Sequence, residues 1–388
     1  MKVVRTFHPI GQGAFYSERY YDDDKPGARH NIVFDCGVIA GVVKARKVVS
    51  QSFTGNDVID YLFLSHLDYD HVSLVEKLFS SVKRVNRIVL PLVSDEDLVI
   101  AISMHKVAGH SSVARFFQRI LNHLRGDSMD DDYFQGDYVV EFVGNHNINN
   151  CANVWKSGSL RQLPLCNDWV LIPYNYEYSS RKTLFILELG KLIGNQAFES
   201  ALQSLGYLQI QSGESLYNML KDEAFVGKIL KDSSLRKAFK NVYEKIEGGI
   251  NANSLVLYSG PAEKCKRFRL IRQFPCCHRF FPDSFHPGCL YTGDADADFK
   301  NWKSVFSSVW GHVGTIQVPH HGSLTSFDIE ANPIDKQYIM PVSCGTCNTF
   351  GHPSGMVLAY LLTQACFPHI VTESANTVLV QVIEGRVL

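Results

Sequence analysis

The stretch Tyr61-Leu62-Phe63-Leu64-Ser65-His66-Leu67-Asp68-Tyr69-Asp70-His71 decides how this chain is read. Its opening is a short continuous apolar run, the pattern of a strand buried on both faces. The chain then turns polar, and four metal-ligand types, His66, Asp68, Asp70 and His71, fall within six positions. In an extended or turning loop the side chains at 66, 68 and 70 converge on one side, and His71 faces a neighbouring point. Imidazole and carboxylate suit zinc, manganese or iron, and carboxylate-rich sets lean toward harder cations. An ordinary polar surface loop has no reason to concentrate ligand types in this way.

Two later clusters add to it. Tyr291-Thr292-Gly293-Asp294-Ala295-Asp296 ends a predicted strand with a Gly-Asp turn, and Val318-Pro319-His320-His321-Gly322-Ser323 ends another with paired histidines. Each is weak alone, since Gly-Asp turns are commonplace and double histidines are often exposed. All three follow predicted strands, however, and α/β folds collect their sites at strand ends. One shared metal centre is the expectation.

The 388 residues are 45% hydrophobic and 20% charged, which excludes disorder, collagen and a coiled coil. The net charge of −1 means that the chain as a whole is no polyanion-binding block, so nucleic-acid contact would need a local basic stretch. Lys264, Lys266, Arg267, Arg269 and Arg272, interleaved with Phe268 and Phe274, form such a stretch. It reads as a hairpin near the metal edge, with cations for phosphates and aromatics for bases, or else as a solvated hairpin. No apolar run approaches the roughly 18–20 residues of a membrane span. The start of the chain lacks the apolar stretch of a secretory signal, so a soluble, cytoplasmic protein with no membrane partner is expected. The ten cysteines would then be reduced thiols. Cys276, Cys277, His278, His286, Cys289, Cys344 and Cys347 could supply a structural zinc site, although their spacing matches no zinc-ribbon pattern and cysteine is a common buried hydrophobe.

Strands are predicted at both ends of the chain: a hairpin over residues 3–37 around a polar turn at 22–27, runs at 61–65 and 85–93, and runs at 254–258, 290–291, 315–318, 339–341 and 377–383. Residues 94–125 turn helical behind Ser94 as cap, and 187–246 carry two or three helices. This predicts an α/β layered domain spanning 1–388, with a central, largely helical insertion at about 94–249.

The order Asp35-Cys36-Gly37, His66-x-Asp68-x-Asp70-His71, Gly293-Asp294 and His320-His321-Gly322-Ser323 resembles the metallo-β-lactamase superfamily. More narrowly, the chain is similar to the metallo-β-lactamase-like domain of ComEC-type competence proteins, through Gly11-Gln12-Gly13, the Asn-x-x-Ser-Leu-Val-Leu segment from Asn251 and Gly351-His352-Pro353-Ser354. The resemblance covers residues 3–75 and about 250–388. It implies an αβ/βα four-layer sandwich and two divalent metal ions, zinc or manganese. His66 and Asp68 would hold one metal, Asp70 and His71 the other, and Asp294 would bridge. His320 or His321 would complete the ligand set of the second metal, and His352 would ligate or contact the scissile phosphate. Asp35 would orient the first loop. Asp68 stands where the superfamily usually has a histidine, and Val72-Ser73 where the branch has a Gly-Gly pair. The superfamily's mid-chain histidine has no evident counterpart; Asn251 lies roughly there, and His105, His110 or His146 are substitutes.

The expected activity is metal-dependent phosphodiester hydrolysis of DNA or a nucleotide. Asp70 would steer the attacking water, and His320, His321 or His352 would protonate the leaving oxygen. The competing expectations are a small-molecule hydrolase acting on a cyclic nucleotide, phosphoester or lactone, and a non-catalytic module that binds a partner. The helical insertion is the natural lid or protein-partner surface, if it is more than extra core.

Overall fold

Alternation in the first 38 residues builds three consecutive antiparallel strands, Lys2–Phe7, Gly13–Tyr21 and Arg29–Val38. The computed structural model describes residues 1–21, 29–126, 138–145, 153–163, 166–175, 180–207, 210–247, 254–265, 268–275 and 286–385. The predicted turn at 22–27 lies outside them. Tyr61–Phe63 adds parallel to Arg29–Val38, and Arg87–Pro91, Val139–Gly144 and Val154–Lys156 follow in parallel. On the other side of Lys2–Phe7, Leu379–Gly385 and then Phe268–Phe274 complete a nine-stranded mixed sheet. A seven-stranded sheet runs in the order Arg161–Leu163, Cys166–Asn175, Leu255–Pro261, Gly288–Tyr291, Val313–Ile316, Ile339–Ser343, Phe367–Val371. The class is α/β, as the strand and helix patterns predict.

Successive strand residues point to opposite faces. Val33, Leu62 and Ile88 pack against Ala45, Val49, Leu78 and Phe117 from the helices Val42–Ser52, Val75–Phe79 and Ser111–Arg125. Their neighbours Phe34, Phe63 and Val89 join Leu171, Leu257, Tyr291 and Ile339 of the seven-stranded sheet in a second core. In a third, Val256, Leu290 and Ile316 meet Trp302 and Leu361 from the helices Phe299–Val305 and Gly355–Thr363. Strands buried on both faces have no polar side to show, hence their continuous apolar runs. Each large side chain so buried stabilises the fold by roughly 1.5–3 kcal/mol.

Between the sheets lies a buried ion pair. Arg5 Nε donates to Glu18 Oε1 at 2.6 Å and Arg5 Nη1 donates to Gln381 Oε1 at 3.0 Å. Glu18 also accepts from the hydroxyls of Tyr20, Ser259 and Tyr291, the last two on the seven-stranded sheet. A buried charge pair stays affordable only when its remaining lone pairs are used, and here they tie one sheet to the other.

Ser94 caps the helix Asp95–Ala108 through a capping box: its Oγ accepts from Asp97 N–H at 3.1 Å, and the Asp97 carboxylate accepts from Ser94 N–H at 3.1 Å. Gly109, at φ 87°, ends that helix, so the predicted helical region is two helices. Five more helices lie within residues 180–247. Phe185, Leu216, Phe225 and Phe239 from these helices pack with Ile100, Met104 and Val107 of Asp95–Ala108. The apolar faces expected to serve as lid or partner surface thus largely cover one another.

The segment 94–249, expected to be a largely helical insertion, also contributes to both sheets: Val139–Gly144 and Val154–Lys156 belong to the nine-stranded sheet, and Arg161–Leu163 and Cys166–Asn175 to the seven-stranded one. Helices occupy its two ends, and its middle supplies strands to both sheets. Among the described residues no helix is long and apolar enough to cross a membrane.

Candidate metal centre

After Tyr61–Phe63 the backbone leaves the sheet at Ser65, and Asp68 precedes a single helical turn, Tyr69–Val72. That turn is pressed against the end of Arg29–Val38. A Cβ on Gly37 would stand 2.4 Å from Val72 N and 2.5 Å from the Asp70 carbonyl carbon, so only glycine lets the ligand loop approach this closely. Across the site, Gln317 shapes the Gly-Asp turn. Its Oε1 accepts from Thr292 N–H and Gly293 N–H at 3.0 and 3.2 Å, and its Nε2 donates to the Gly293 carbonyl at 3.1 Å. The same carbonyl accepts from His320 N–H at 3.1 Å and so joins the Gly-Asp and double-histidine turns.

Among the described residues four non-glycine positions have left-handed φ, and three are here: Asp35 at 57°, His320 at 46° and His321 at 54°. Such conformations cost about 1–3 kcal/mol each and persist where surrounding contacts hold them. Here the contacts are the bonds that aim these side chains.

The ligand types converge. Single atoms of Asp70, His71, Asp294 and His321 all lie within 4.8 Å of one another, in a group that could hold a metal ion. His71 Nε2 is 3.1 Å from Asp294 Oδ1, and His321 Nε2 is 3.2 Å from Asp70 Oδ2. Asp294 Oδ2 faces the other way, toward His66 Nε2 at 3.9 Å and His320 Nε2 at 3.8 Å, and His66 Nε2 is 3.6 Å from Asp68 Oδ2. Exposure of His66, Asp68, Asp70, His71, Asp294 and His321 runs only from 0% to 8%.

Each imidazole is gripped through Nδ1. His321 Nδ1 donates to the Ser343 carbonyl at 2.8 Å, and that oxygen can only accept, so Nε2 keeps its lone pair. His71 Nδ1 sits 2.8 Å from Asp35 Oδ2, and Asp35 Oδ1 accepts from Ser65 N–H at 2.7 Å. Ser65 Oγ donates to Asp35 at 2.7 Å and meets His66 Nδ1 at 2.9 Å; Ser254 Oγ meets the same nitrogen at 3.1 Å. His320 Nδ1 meets Ser326 Oγ at 2.7 Å. Outer bonds of this kind fix tautomer and ring direction in metal sites. Asp35 thus bonds both Ser65, at the head of the ligand loop, and His71, within it.

Electrostatics agrees with a cation-seeking site. Burial opposes charge on His71, but Asp294, Asp35 and Asp70 outweigh it and hold the imidazole well above its usual range. Burial would likewise raise Asp70 and Asp294. Their histidines prevail instead, bringing Asp70 to about 2 and Asp294 well below the carboxylate range.

A cleft of about 510 Å³ opens over these groups, lined by Asp68, Asp70, Asp294, His320, His321 and His352 among others. The His352 ring centroid is 5.5 Å from that of His320. His105 does not join the cluster: its Nε2 donates to the Leu67 carbonyl at 2.9 Å, bracing the ligand loop from behind, and His110 stacks on Tyr69 at 3.9 Å. Asn251, His146, Lys266, Arg267 and the Cys276-Cys277-His278 group lie outside the described residues. Of the other cysteines, Cys289 and Cys344 are buried and Cys347 is exposed, and none enters a metal-ligand group among the described residues. Arg269 and Arg272 are exposed on Phe268–Phe274, which pairs with Leu379–Gly385 at the outer edge of the nine-stranded sheet, four places from Arg29–Val38. The stretch was expected as a hairpin near the metal edge, but neither arginine nor the exposed Lys264 lines the metal cleft. The serines that hold the imidazoles escaped the sequence reading. Ser65 stood beside the motif, but hydroxyls carry no spacing signal of their own.

No protein family matches this chain, and no curated protein matches it.

Proposed function

We propose that this protein is a metal-dependent phosphodiester hydrolase with a dinuclear centre, built on the αβ/βα four-layer sandwich of the metallo-β-lactamase superfamily and related to its ComEC-type branch. The observation that carries this is the division of Asp294, whose Oδ1 faces His71 while Oδ2 faces His66 and His320. Two half-sites sharing one carboxylate follow: His66, Asp68 and His320 on one side, Asp70, His71 and His321 on the other. The donor chemistry fits zinc or manganese. Two such ions, when bound, would supply Lewis-acid stabilisation of the attacking and leaving oxygens.

The chain's own groups do the rest. Asp70, which lines the cleft, accepts a hydrogen bond from the attacking water and sets its direction. His352 lines the same cleft, its ring centroid 5.5 Å from that of His320 and 6.5 Å from that of His321. Burial, with His320 and His321 nearby, brings its imidazole down to about 4, so near neutral pH it is uncharged and donates an N–H to a phosphoryl oxygen. That assigns it to holding the substrate; the half-site histidines would turn their Nε2 lone pairs to the metals, so the leaving oxygen takes its proton from water.

DNA and nucleotides both present the bond. One observation favours the smaller substrate: among the described residues no lysine or arginine lines the metal cleft, and a polymer backbone is ordinarily tracked by cations. The test is hydrolysis of bis(p-nitrophenyl) phosphate with added manganese or zinc. Asp70→Ala and Asp294→Ala should each lower the rate by at least about 10²-fold; cleavage retained in both would overturn the assignment.

A further inference from the structure

A second cleft, of about 490 Å³, adjoins the metal cleft and shares Gln12, Ile39 and Phe350 with it. We propose that this shared wall is a ring-binding subsite with Phe350 as its stacking platform, and that the substrate is a small phosphodiester carrying a nucleobase. The inference rests on the phosphodiester reading above and narrows its substrate.

Phe350 is 56% exposed, yet it is not on a loose loop. The Asn348 side chain closes the 345–352 loop on itself: Nδ2 donates to the carbonyls of Gly345 and His352, both at 2.7 Å, and Oδ1 accepts from the N–H groups of Phe350 and His352, both at 3.2 Å. Thr346 anchors the loop's start to the Glu373 carboxylate. The Phe350 ring then lies nearly parallel to His352, with centroids 6.0 Å apart and planes 12° apart. An apolar ring fixed in place and left in water has its face ready for another planar group. Single exposed apolar residues are ordinary, but Ile39 and Leu324, also well exposed, rim the same cleft.

Charge selects the occupant. Among the described residues Lys44 is the one lysine or arginine that lines the adjoining cleft, and Glu373 lines it too. A chain of phosphates finds no track there, whereas a neutral ring does. Gln12, common to both clefts, accepts from Gly345 N–H through Oε1 at 3.1 Å, which leaves its NH2 to donate to a ligand lying between ring and phosphate.

The test is isothermal titration of manganese-loaded protein with adenosine 5′-monophosphate and with ribose 5-phosphate, in the wild type, Phe350→Ala and Phe350→Trp. The wild type should bind the nucleotide on the order of tenfold more tightly than the sugar phosphate. Phe350→Ala should abolish that difference and Phe350→Trp should keep it. Equal affinities in the wild type, with ribose 5-phosphate bound, would overturn the subsite while the phosphodiester reading stands. A preference that survives in Phe350→Ala would also overturn it. Metal-loaded protein that binds neither probe would overturn both readings.

Discussion

Every imidazole of the cluster is aimed by a bond at its far nitrogen, and Asp35 is where this can be tested. Asn at that position tolerates the left-handed backbone and can still accept from Ser65 N–H. Its NH2, however, would face the Ser65 hydroxyl and His71 Nδ1, where a carboxylate oxygen now accepts. His71 would then move its proton to Nε2, the nitrogen turned toward Asp294. Asp35→Asn should therefore weaken metal binding by roughly 10–100-fold with the far-ultraviolet circular dichroism unchanged; undiminished affinity in a chelator competition would refute the role. His8 offers a residue-scale prediction away from the site. It is buried between the hydroxyls of Ser17 and Ser52, at 2.7 and 3.2 Å, and stacks on Phe15. Burial, with Arg19 adding to it, takes its imidazole down to about 3. The folded protein keeps His8 neutral where the unfolded chain protonates below about 6.5, so stability is lost as pH falls from 6.5 toward 3. Urea unfolding should show about 2 kcal/mol of this loss between pH 7 and pH 5, absent in His8→Phe. The ligand residues were legible because their chemical types cluster at short spacing. Ser65, Ser254 and Ser326 were not, since a serine that steers a ring looks like any other serine until the fold brings it there.

At the scale of elements, the helix Asp95–Ala108 serves two cores. Leu98 and Ile102 pack toward the nine-stranded sheet, and Ile100, Met104 and Val107 pack toward the helices of residues 180–247. A helix buried on two sides shows little amphipathic contrast, and that hid its role as a hub. Phe239, fully buried and in edge contact with Phe198 and Phe225, is central to the second cluster. Phe239→Ala should cost about 3–5 kcal/mol in chemical denaturation while metal content at low temperature stays at the wild-type level; metal lost in parallel would show that the helices support the site directly. The flanking strands were legible as apolar runs. Those between 139 and 175 were absorbed into an insertion because Val154–Lys156 and Arg161–Leu163 have three residues each, too few to show a period. Cys166–Asn175 has Asn167 and Asp168 at its second and third positions and contains Pro173, residues that read as loop. Tertiary pairing with Leu255–Pro261 overrides that local preference.

For the whole molecule, the cluster lies where two sheets meet. Asp35 and the 65–71 loop belong to the nine-stranded sheet, and Asp294, His320 and His321 to strand ends of the seven-stranded one. The Arg5–Glu18 network joins the same sheets between their faces, as do Tyr16 Oη with Ser343 Oγ and Asn175 Nδ2 with the Val143 carbonyl. The α/β class was legible because its strands are continuous in sequence. The polar network between the sheets was not, because it is made of single residues such as Arg5, Glu18 and Ser259 from distant parts of the chain. A cation held by both sheets would bind the folded state alone and stabilise it by mass action. The most direct measurement is elemental analysis of the purified protein beside Asp294→Ala. About two equivalents of zinc or manganese in the wild type, falling in the variant, is the result this account predicts. Near-zero metal in the wild type, not restored by added manganese or zinc, would contradict it and leave the histidines and aspartates as a buried polar cluster without a cation.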